Sequence, residues 1–400
     1  MRERFFYPAD IMLPKKDFEK WAVVACDQFT SEPEYWEDVK NIVGDAPSAL
    51  NVILPEVYLK EDNSESVDKI NAKMREYVDN DVFAIHKNSI IYVERNVGNN
   101  IRKGLVGLVD LEDYDYSKDS KTLVRATEET IKDRLPARIE IRKDAILELP
   151  HILLLFDDPT RSVVKPLEKK KEEFEVAYDF ELMKNGGHIR GWFLNEEAID
   201  DVQKSLGNLM LSGDDVLFVV GDGNHSLAAA KEYYKQSGDE NARYALVEIE
   251  NVHDRSIEFE PIYRVLFDVD SDDFLAEFKA YTDANGTGEN QKFEYYTKDK
   301  NGTVEVKSMA KLPVGTLQQF IDFYMSEHSN VKLDYIHGEE VVKSLSKKDN
   351  VLGFIFEGMT KESFFPAIRA DGSLPRKTFS MGQANEKRYY IEAHRIKADK

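Results

Sequence analysis

The sequence predicts a mixed α/β protein, in which multi-stranded mixed sheets are flanked by helices. Short β-rich runs bounded by Gly, Asn or Pro alternate with amphipathic helical segments along the whole chain. The hydrophobic fraction of 42%, with 22 Phe and 19 Tyr, is typical of globular proteins and argues against disorder. A chain of 400 residues is also long enough to bury a large core.

The first part of the chain predicts helices followed by strands. Residues 34–43 and 64–78 each place apolar side chains at helical spacing behind residues that suit a first turn. A third, short helix is predicted over residues 127–135, where Pro136 would end it. The β-rich runs, broken by Asn or Gly, predict strands at residues 52–54, 82–85, 90–95 and 105–111.

Two continuous apolar runs mark the middle of the chain. Residues 152–156 and 216–220 have the composition of strands that are buried on both faces of a sheet. Asn195 suits the cap of an intervening helix, which gives a β, α, β succession. The remaining predicted strands are residues 189–194, 242–249, 263–267 and 351–356, and the remaining helices are residues 274–281 and 317–325.

The domain organisation predicted from the sequence has soft boundaries. A charge-dense segment, residues 165–175, indicates a solvated helix or linker. It separates an N-terminal α/β region, residues 1–165, from a core region, residues 166–270. A C-terminal α/β region would follow over residues 271–400, and one compact unit is the alternative.

Charge and cysteine content narrow the partners. A formal net charge of -21, with a pI near 4.9, repels nucleic acid and anionic membranes, so we expect neither as a partner. The lone Cys26 leaves no intramolecular disulfide and fits a reducing compartment, and the N-terminal apolar stretch is too short for a secretory signal. We therefore expect a cytoplasmic protein that binds a small phosphate or amino-acid substrate; the sequence leaves its oligomeric state open.

The most informative segment runs from residue 216 to residue 234. Five apolar residues end at Gly221-Asp222-Gly223-Asn224-His225-Ser226, and Ser226 can cap the helix that follows. The unpaired N–H groups and positive dipole of a helix start favour a phosphate, while Asp222 and His225 can bind a metal or transfer a proton. A plain strand-to-helix turn, in which Asp222 and Asn224 only shape the backbone, fits the same residues.

Two further segments have oxyanion-binding chemistry. Arg125 precedes Thr127, which can cap a helix while lending its hydroxyl, and arginine binds phosphate in a forked geometry. Arg376, Lys377 and Thr378 place adjacent cations and a hydroxyl in a short loop of an acidic protein. A normally capped surface helix and a solvated basic loop are the corresponding structural alternatives.

Two weaker candidates concern substrate contacts. His188 lies in a glycine-rich entry to a strand, and it is equally typical of a structural histidine and of a substrate-facing one. Asp27 and Gln28 lie in a polar loop before a helix and can contact a ligand. Cys26 beside them fits a buried side chain better than a nucleophile.

The chain resembles a bacterial and archaeal family of unknown function, domain-of-unknown-function family 1015, placed near the ParB/sulfiredoxin superfamily and related to free serine kinases. The likeness runs nearly end to end and rests on Tyr7-Pro-Ala-Asp10, Val24-Ala-Cys-Asp27, Arg125-Ala-Thr-Glu128, Glu148-Leu-Pro-His151, Gly221-Asp-Gly-Asn-His225 and Leu374-Pro-Arg-Lys-Thr-Phe-Ser-Met-Gly382. The resemblance implies a ParB/sulfiredoxin-like core and a D-G-H-H-R type of turn that holds nucleotide phosphates. His225 matches that turn, whereas Asn224 and Ser226 replace a histidine and an arginine. Arg125, or Arg376 with Lys377, is expected to supply the missing charge.

The glycine turn predicts a phosphotransferase or phosphatase, with Mg²⁺ and ATP or ADP as cofactors, and the resemblance implies that it acts on serine or phosphoserine in serine metabolism. Gly221, Gly223, Asn224 and Ser226 would hold the phosphoryl group, Asp222 would bind metal or act as base, and His225 would exchange a proton. A non-catalytic nucleotide-dependent switch and a small-anion-binding protein are the alternatives.

Overall fold

A computed structural model describes residues 4–130, 135–211 and 215–397 of the chain. It confirms the predicted mixed α/β class, because helices alternate with strands that form both parallel and antiparallel ladders. The chain divides into two compact units. Unit 1 comprises Met1–Ala126, Thr130–Ile257 and Gly382–Lys400, and unit 2 comprises Thr127–Glu129 and Glu258–Met381.

The elements of the described residues follow in chain order. The strands are β1 (Ala9–Pro14), β2 (Val23–Val24), β3 (Phe83–Ser89), β4 (Ile91–Val97), β5 (Asn100–Asp110), β6 (Tyr114–Asp115), β7 (Val124–Arg125), β8 (Leu147–Glu148), β9 (Leu153–Phe156), β10 (Glu175–Leu182), β11 (Gly187–Phe193), β12 (Phe218–Asp222), β13 (Tyr244–Asn251), β14 (Phe259–Phe267), β15 (Asn290–Tyr296), β16 (Asn301–Lys307), β17 (Lys332–His337), β18 (Val351–Phe356), β19 (Phe379–Met381), β20 (Tyr389–Tyr390) and β21 (Ala393–Arg395). The helices are α1 (Phe18–Trp21), α2 (Pro33–Val43), α3 (Ser64–Asp79), α4 (Leu135–Asp144), α5 (Val164–Lys170), α6 (Glu196–Leu211), α7 (Asn224–Ser237), α8 (Ser271–Asn285), α9 (Pro313–Glu327), α10 (Glu339–Leu345) and α11 (Lys361–Asp371).

Unit 1 is built on a nine-stranded sheet with the strand order β10-β11-β4-β5-β13-β9-β12-β7-β6. The two continuous apolar runs of the sequence become β9 and β12, which are antiparallel neighbours with Val219 opposite Leu155. Both strands are buried at their centres, as such runs require. A four-stranded sheet, β3-β1-β21-β8, and the pair β2-β20 complete the unit.

Unit 2 is built on a six-stranded sheet in which β14 lies between β17 and β18 and also pairs with β19. Phe274 and Phe278 of α8 pack against Phe320 of α9 and Phe354 of β18. These edge-to-face, tilted and stacked ring contacts form the core of unit 2. Aromatic pairs of this kind add to the free energy gained by burial alone.

Two predicted elements are wrong. The helix predicted over residues 127–135 is absent at residues 127–130, because Glu128 forms a parallel bridge with Leu374 instead. Residues 131–134 lie outside the described residues, and Leu135 already begins α4. Helix α4 includes Pro136, which the prediction placed after a helix end. The strand predicted at residues 52–54 is also wrong, because Ala49–Val52 form a 3₁₀ helix capped by the Ser48 hydroxyl.

The C-terminal segment of the chain, from Gly382 onward, belongs to unit 1. Strand β20 pairs with β2, and β21 lies between β1 and β8. The reason is hydrogen bonding over a long sequence separation, which local composition does not encode. We call residues 382–397 the C-terminal strap.

Buried arginines attach the strap to the sheet of unit 1. Arg95 of β4 donates hydrogen bonds of 2.6–3.2 Å to the carbonyl oxygens of Asn385, Glu386 and Lys387. Arg388 pairs with Glu248 at 2.9 Å and with Glu392 at 2.8 Å, and all three side chains are buried. A buried cation with this many acceptors fixes the backbone of the strap, because each unmade bond would leave a desolvated charge.

We expect Arg388→Met to lower the free energy of unfolding by about 3–5 kcal/mol, because it leaves two buried carboxylates without their cation. Urea unfolding followed by circular dichroism measures this change. Arg255→Met, a substitution at an arginine outside this network, is the matched control. A loss below about 1 kcal/mol for Arg388→Met would contradict the structural role of the network.

A second stability prediction concerns Glu250, which is fully buried in β13 and lies 3.0 Å from Arg102. Burial raises the pKa of Glu250 to about 8, and Glu248 and Asp254 add to the rise against the opposing effect of Arg102. A carboxyl group whose pKa is higher in the folded state destabilises that state as the pH rises from its unfolded pKa to its folded one. The loss of folding stability that Glu250 causes is therefore complete only above about pH 8.

From about pH 5 to about pH 9, we expect the free energy of unfolding of Glu250→Gln to rise relative to that of the natural chain by more than about 1.4 kcal/mol. This is the value of one pKa unit. Urea unfolding at both pH values measures the difference. The same substitution at the exposed Glu181 of β10 controls for effects of lost surface charge. A pH-independent difference for Glu250→Gln would show that Glu250 stays ionised in the folded state.

Candidate functional site

The predicted glycine turn joins β12 to α7 in unit 1. Gly223 is the N-cap residue of α7 with a φ of 84°, a left-handed conformation, and an added Cβ would lie 3.1 Å from the Cα atom of Ile152. Both observations require glycine at this position. Ser226 does not cap the helix as predicted, because α7 already begins at Asn224; its N–H donates to the Gly223 carbonyl oxygen.

Asp222, at the end of β12, has a donor at each carboxylate oxygen. Its Oδ1 accepts the N–H of Gly223 at 2.9 Å, and its Oδ2 lies 3.2 Å from Nζ of Lys387 in the C-terminal strap. Both side chains are mostly buried, so water screens this ion pair less than it screens a surface pair. A cation that sequence analysis did not identify therefore lies at the start of α7.

This arrangement does not fit a Mg²⁺ site as it stands. Mg²⁺ requires octahedral oxygen ligands, and both oxygens of Asp222 are already engaged by donors. Among the described residues, the group of three ligand-type side chains within 4.8 Å of one another is Asp273, Glu277 and His328, which belong to unit 2. No step of the chemistry below is assigned to a metal.

Asp27 and Gln28 lie in the loop after β2, and Asp27 belongs to the same electrostatic environment as Lys387. Burial acts to raise the pKa of Asp27, but His151, a hydrogen bond from Gln28, Lys387 and Arg138 together lower it below its usual value. Asp27 is therefore a carboxylate at neutral pH. Lys387 thus forms an ion pair with Asp222 and is one of the cations that lower the pKa of Asp27.

His151 connects α7 to the strap. Its Nε2 lies 2.8 Å from Oγ of Ser226, and its Nδ1 lies 3.0 Å from the hydroxyl oxygen of Tyr390 in β20. That hydroxyl oxygen also accepts the N–H of Cys26 at 3.2 Å. Burial raises the pKa of the Cys26 thiol to about 12, so Cys26 stays protonated and is not the nucleophile.

A cavity of about 150 Å³ opens beside these groups in unit 1. Ser226, His151, Tyr390 and Cys26 lie on its wall, and most of the remaining lining is apolar, including Val52, Leu54, Met74 and Ile152. The arginines on its wall are already paired, Arg138 with Glu56 and Arg142 with Glu148. The cavity therefore offers a hydrophobic space with a polar wall, as small-molecule sites do.

Two other predicted residues of unit 1 have structural partners. The Arg125 guanidinium is buried and bonds to the Thr122 carbonyl oxygen and to Asp215, with an ion pair of 2.8 Å to the latter. His188 lies 2.9 Å from Asp179 on the adjacent strand, five strand positions from β12 in the sheet. The contacts of these two side chains do not include the start of α7, and their roles in binding a ligand stay predictions.

The remaining predicted residues, Thr127, Arg376, Lys377 and Thr378, belong to unit 2. Thr127 accepts the N–H of Leu374 at its carbonyl oxygen and caps no helix, because the helix predicted there is absent from the described residues. The buried Arg264 donates to the carbonyl oxygens of Arg376 and Lys377 and so holds this loop in place. The role of these four residues in binding the same phosphate as the glycine turn stays a prediction.

Sequence analysis missed His151, Lys387 and Tyr390 as site residues. His151 was identified only as part of a family segment, although a polar residue directly before the apolar run of residues 152–156 is a signal for an edge position. Lys387 and Tyr390 have no local signal, because their place depends on the pairing of β20 with β2. The glycines of the turn, together with Asp222 and Ser226, are placed where the sequence indicated, at the junction of β12 and α7.

No helix among the described residues combines the length and apolar character needed to cross a membrane. No curated protein matches the sequence. Solved structures similar to this chain include a mutant free serine kinase in complex with AMP (12% identity, TM-score 0.42) and another in complex with ADP (12%, TM-score 0.41). Each alignment covers 73% of this chain and 92% of the other.

A conserved hypothetical protein from Pyrococcus furiosus is also similar, with 13% identity and a TM-score of 0.36; the alignment covers 73% of this chain and 95% of that one. The ParB/sulfiredoxin-like core stays a prediction. A family model with the description "Protein of unknown function (DUF1015)" matches residues 7–324, which is well over half of the 400 residues. The chain therefore belongs to this family.

Proposed function

We propose that this chain transfers a phosphoryl group to or from the hydroxyl group of free serine, at the start of α7 in unit 1. The observation that carries the proposal is the ion pair of Asp222 and Lys387 at the start of α7, a helix whose first turn also places Ser226 against His151 on the wall of a cavity. Lys387 and His151 also act on Asp27, whose pKa they lower. Charges of both signs beside a hollow suit a zwitterionic substrate and an anionic phosphate together.

The start of α7 supplies the phosphate-binding component. A helix N-terminus carries about half a positive charge, and its N–H groups favour anions. Lys387 is the nearby cation. When a phosphate enters, the ammonium group of Lys387 can exchange its ion pair with Asp222 for an ion pair with the phosphate. ATP or ADP is the proposed donor, and phosphoserine is the donor in the reverse direction.

Asp27 supplies the component that binds serine. Its lowered pKa keeps it negative at neutral pH, so it is suited to an ammonium group rather than to accepting a proton. His151 is better suited to proton transfer, because one imidazole nitrogen can accept a proton while the other donates one, and its Nε2 already contacts a hydroxyl group. The proposed division of roles is binding by Asp27, charge neutralisation by Lys387 and proton exchange by His151.

The first test is turnover. Purified chain is incubated with serine and ATP or ADP, or with phosphoserine, and the products are measured by chromatography. We expect His151→Asn to lower kcat by about 100-fold or more, the usual contribution of a general acid–base group. His337→Asn, at an exposed histidine of unit 2, is the control. Equal kcat for the natural chain and His151→Asn would remove His151 from the mechanism.

The second test is binding. Lys387→Met removes the cation beside Asp222, so we expect the Kd for ADP, measured by calorimetry, to rise about tenfold, which corresponds to ~1.4 kcal/mol. Lys20→Met, at an exposed lysine of α1, should leave the Kd unchanged. Nucleotide binding without any product would favour a non-catalytic switch. Stabilisation by phosphate or phosphoserine, but not by nucleotides, would favour a small-anion-binding protein.

A further inference from the structure

Ser226 has the geometry of an activated nucleophile. Its Oγ lies 2.8 Å from Nε2 of His151, within the range for a hydroxyl group that gives its proton to a base. Ser226 lines the cavity, is only partly buried, and lies in the first turn of α7, where the helix dipole favours negative charge. A serine whose only role is capping would contact the backbone of its own turn instead.

Tyr390 fixes the orientation of His151. The Tyr390 hydroxyl lies 3.0 Å from Nδ1 of His151, and the two rings meet edge to face with centroids 5.5 Å apart. Tyr390 is buried and also hydrogen bonded to Cys26, so its position is set by protein contacts. With the imidazole proton on Nδ1 facing the phenol oxygen, Nε2 is the acceptor for the Ser226 hydroxyl. Nucleophile, base and orienting group thus form a chain.

The hydrogen-bonded series of Ser226, His151 and Tyr390 has surroundings that differ from those of a hydrogen bond on the surface. One side of Ser226 faces a cavity of about 150 Å³ with a mainly apolar lining, in which water competes less for the hydroxyl proton. Lys387, 3.2 Å from Asp222, provides a cation near the start of the same helix. A phosphorus centre that reaches Ser226 would meet a nucleophile in the first turn of a helix whose start also carries the cation Lys387.

We infer that Ser226 is a catalytic nucleophile and that phosphoryl transfer proceeds in two steps through a phosphorylated Ser226. In the first step the Ser226 Oγ–P bond forms, the bond between phosphorus and the leaving oxygen breaks, and the Ser226 proton passes through His151 to that oxygen. In the second step the hydroxyl group of serine, or water, attacks phosphorus. His151 takes its proton, the Oγ–P bond breaks, and the proton returns to Ser226. This inference rests on the proposed function and deepens it.

Diisopropyl fluorophosphate tests the nucleophile without knowledge of the natural donor. Its phosphorus forms a bond to an activated serine oxygen, fluoride leaves, and the proton passes to the neighbouring base. We expect one adduct per chain, located at Ser226 by peptide mass spectrometry. Ser226→Ala should abolish the adduct, and His151→Asn should slow its formation by about 100-fold. Ser237→Ala, at the opposite and exposed end of α7, should be labelled like the natural chain.

Three outcomes overturn or support the inference separately from the proposed function. Turnover by Ser226→Ala at the natural rate, or an unlabelled Ser226 in a natural chain that turns over, overturns the nucleophile and leaves phosphoryl transfer in place. Labelling at Ser226 without turnover of any donor supports the nucleophile and removes the proposed function. Circular dichroism melting shows whether Ser226→Ala is folded, and His151→Asn and Tyr390→Phe, which keep Ser226, give an independent reading from their labelling rates.

Discussion

The attachment of the C-terminal strap by Arg95 and Arg388 is the interaction on which the candidate site depends. Arg95 donates to consecutive carbonyl oxygens at residues 385–387, and Arg388 lies between two buried carboxylates. Together with the pairing of β20 and β2, these bonds hold Lys387 beside Asp222 and Tyr390 beside His151. Buried ion pairs add little net stability compared with apolar packing, but they are strongly directional. Here their effect is to fix the register of the strap.

The site also shows how an acidic protein can accommodate an anion. The chain carries a net charge of -21, and its mean field repels phosphate. At the start of α7 that field is offset locally by the helix dipole and by Lys387, whose own partner is a carboxylate that a ligand can replace. Small anions therefore have a physical reason to bind at this point. The raised pKa of Cys26 leaves Ser226 as the nucleophile of the cavity wall.

The secondary structure followed from the sequence wherever a local pattern was complete. Residues 351–356 become β18 with the predicted bounds, and the predicted helix at residues 64–78 differs from α3 by one residue. The helix predicted from residue 127 was wrong because Glu128 gains hydrogen-bonded pairing with Leu374, a partner far away in sequence. Local helix propensity is worth tenths of a kcal/mol per residue, so such tertiary pairing outweighs it.

The sequence by itself determined the turn at Gly223, the strand before it and the helix after it, because steric limits and apolar periodicity act within a few residues. Only the tertiary structure decided which side chains meet there. His151 lies 75 residues from Ser226, and Tyr390 lies 239 residues from His151. Their meeting depends on β9 pairing with β12 and β20 pairing with β2, and these choices are made by the energy of the whole fold.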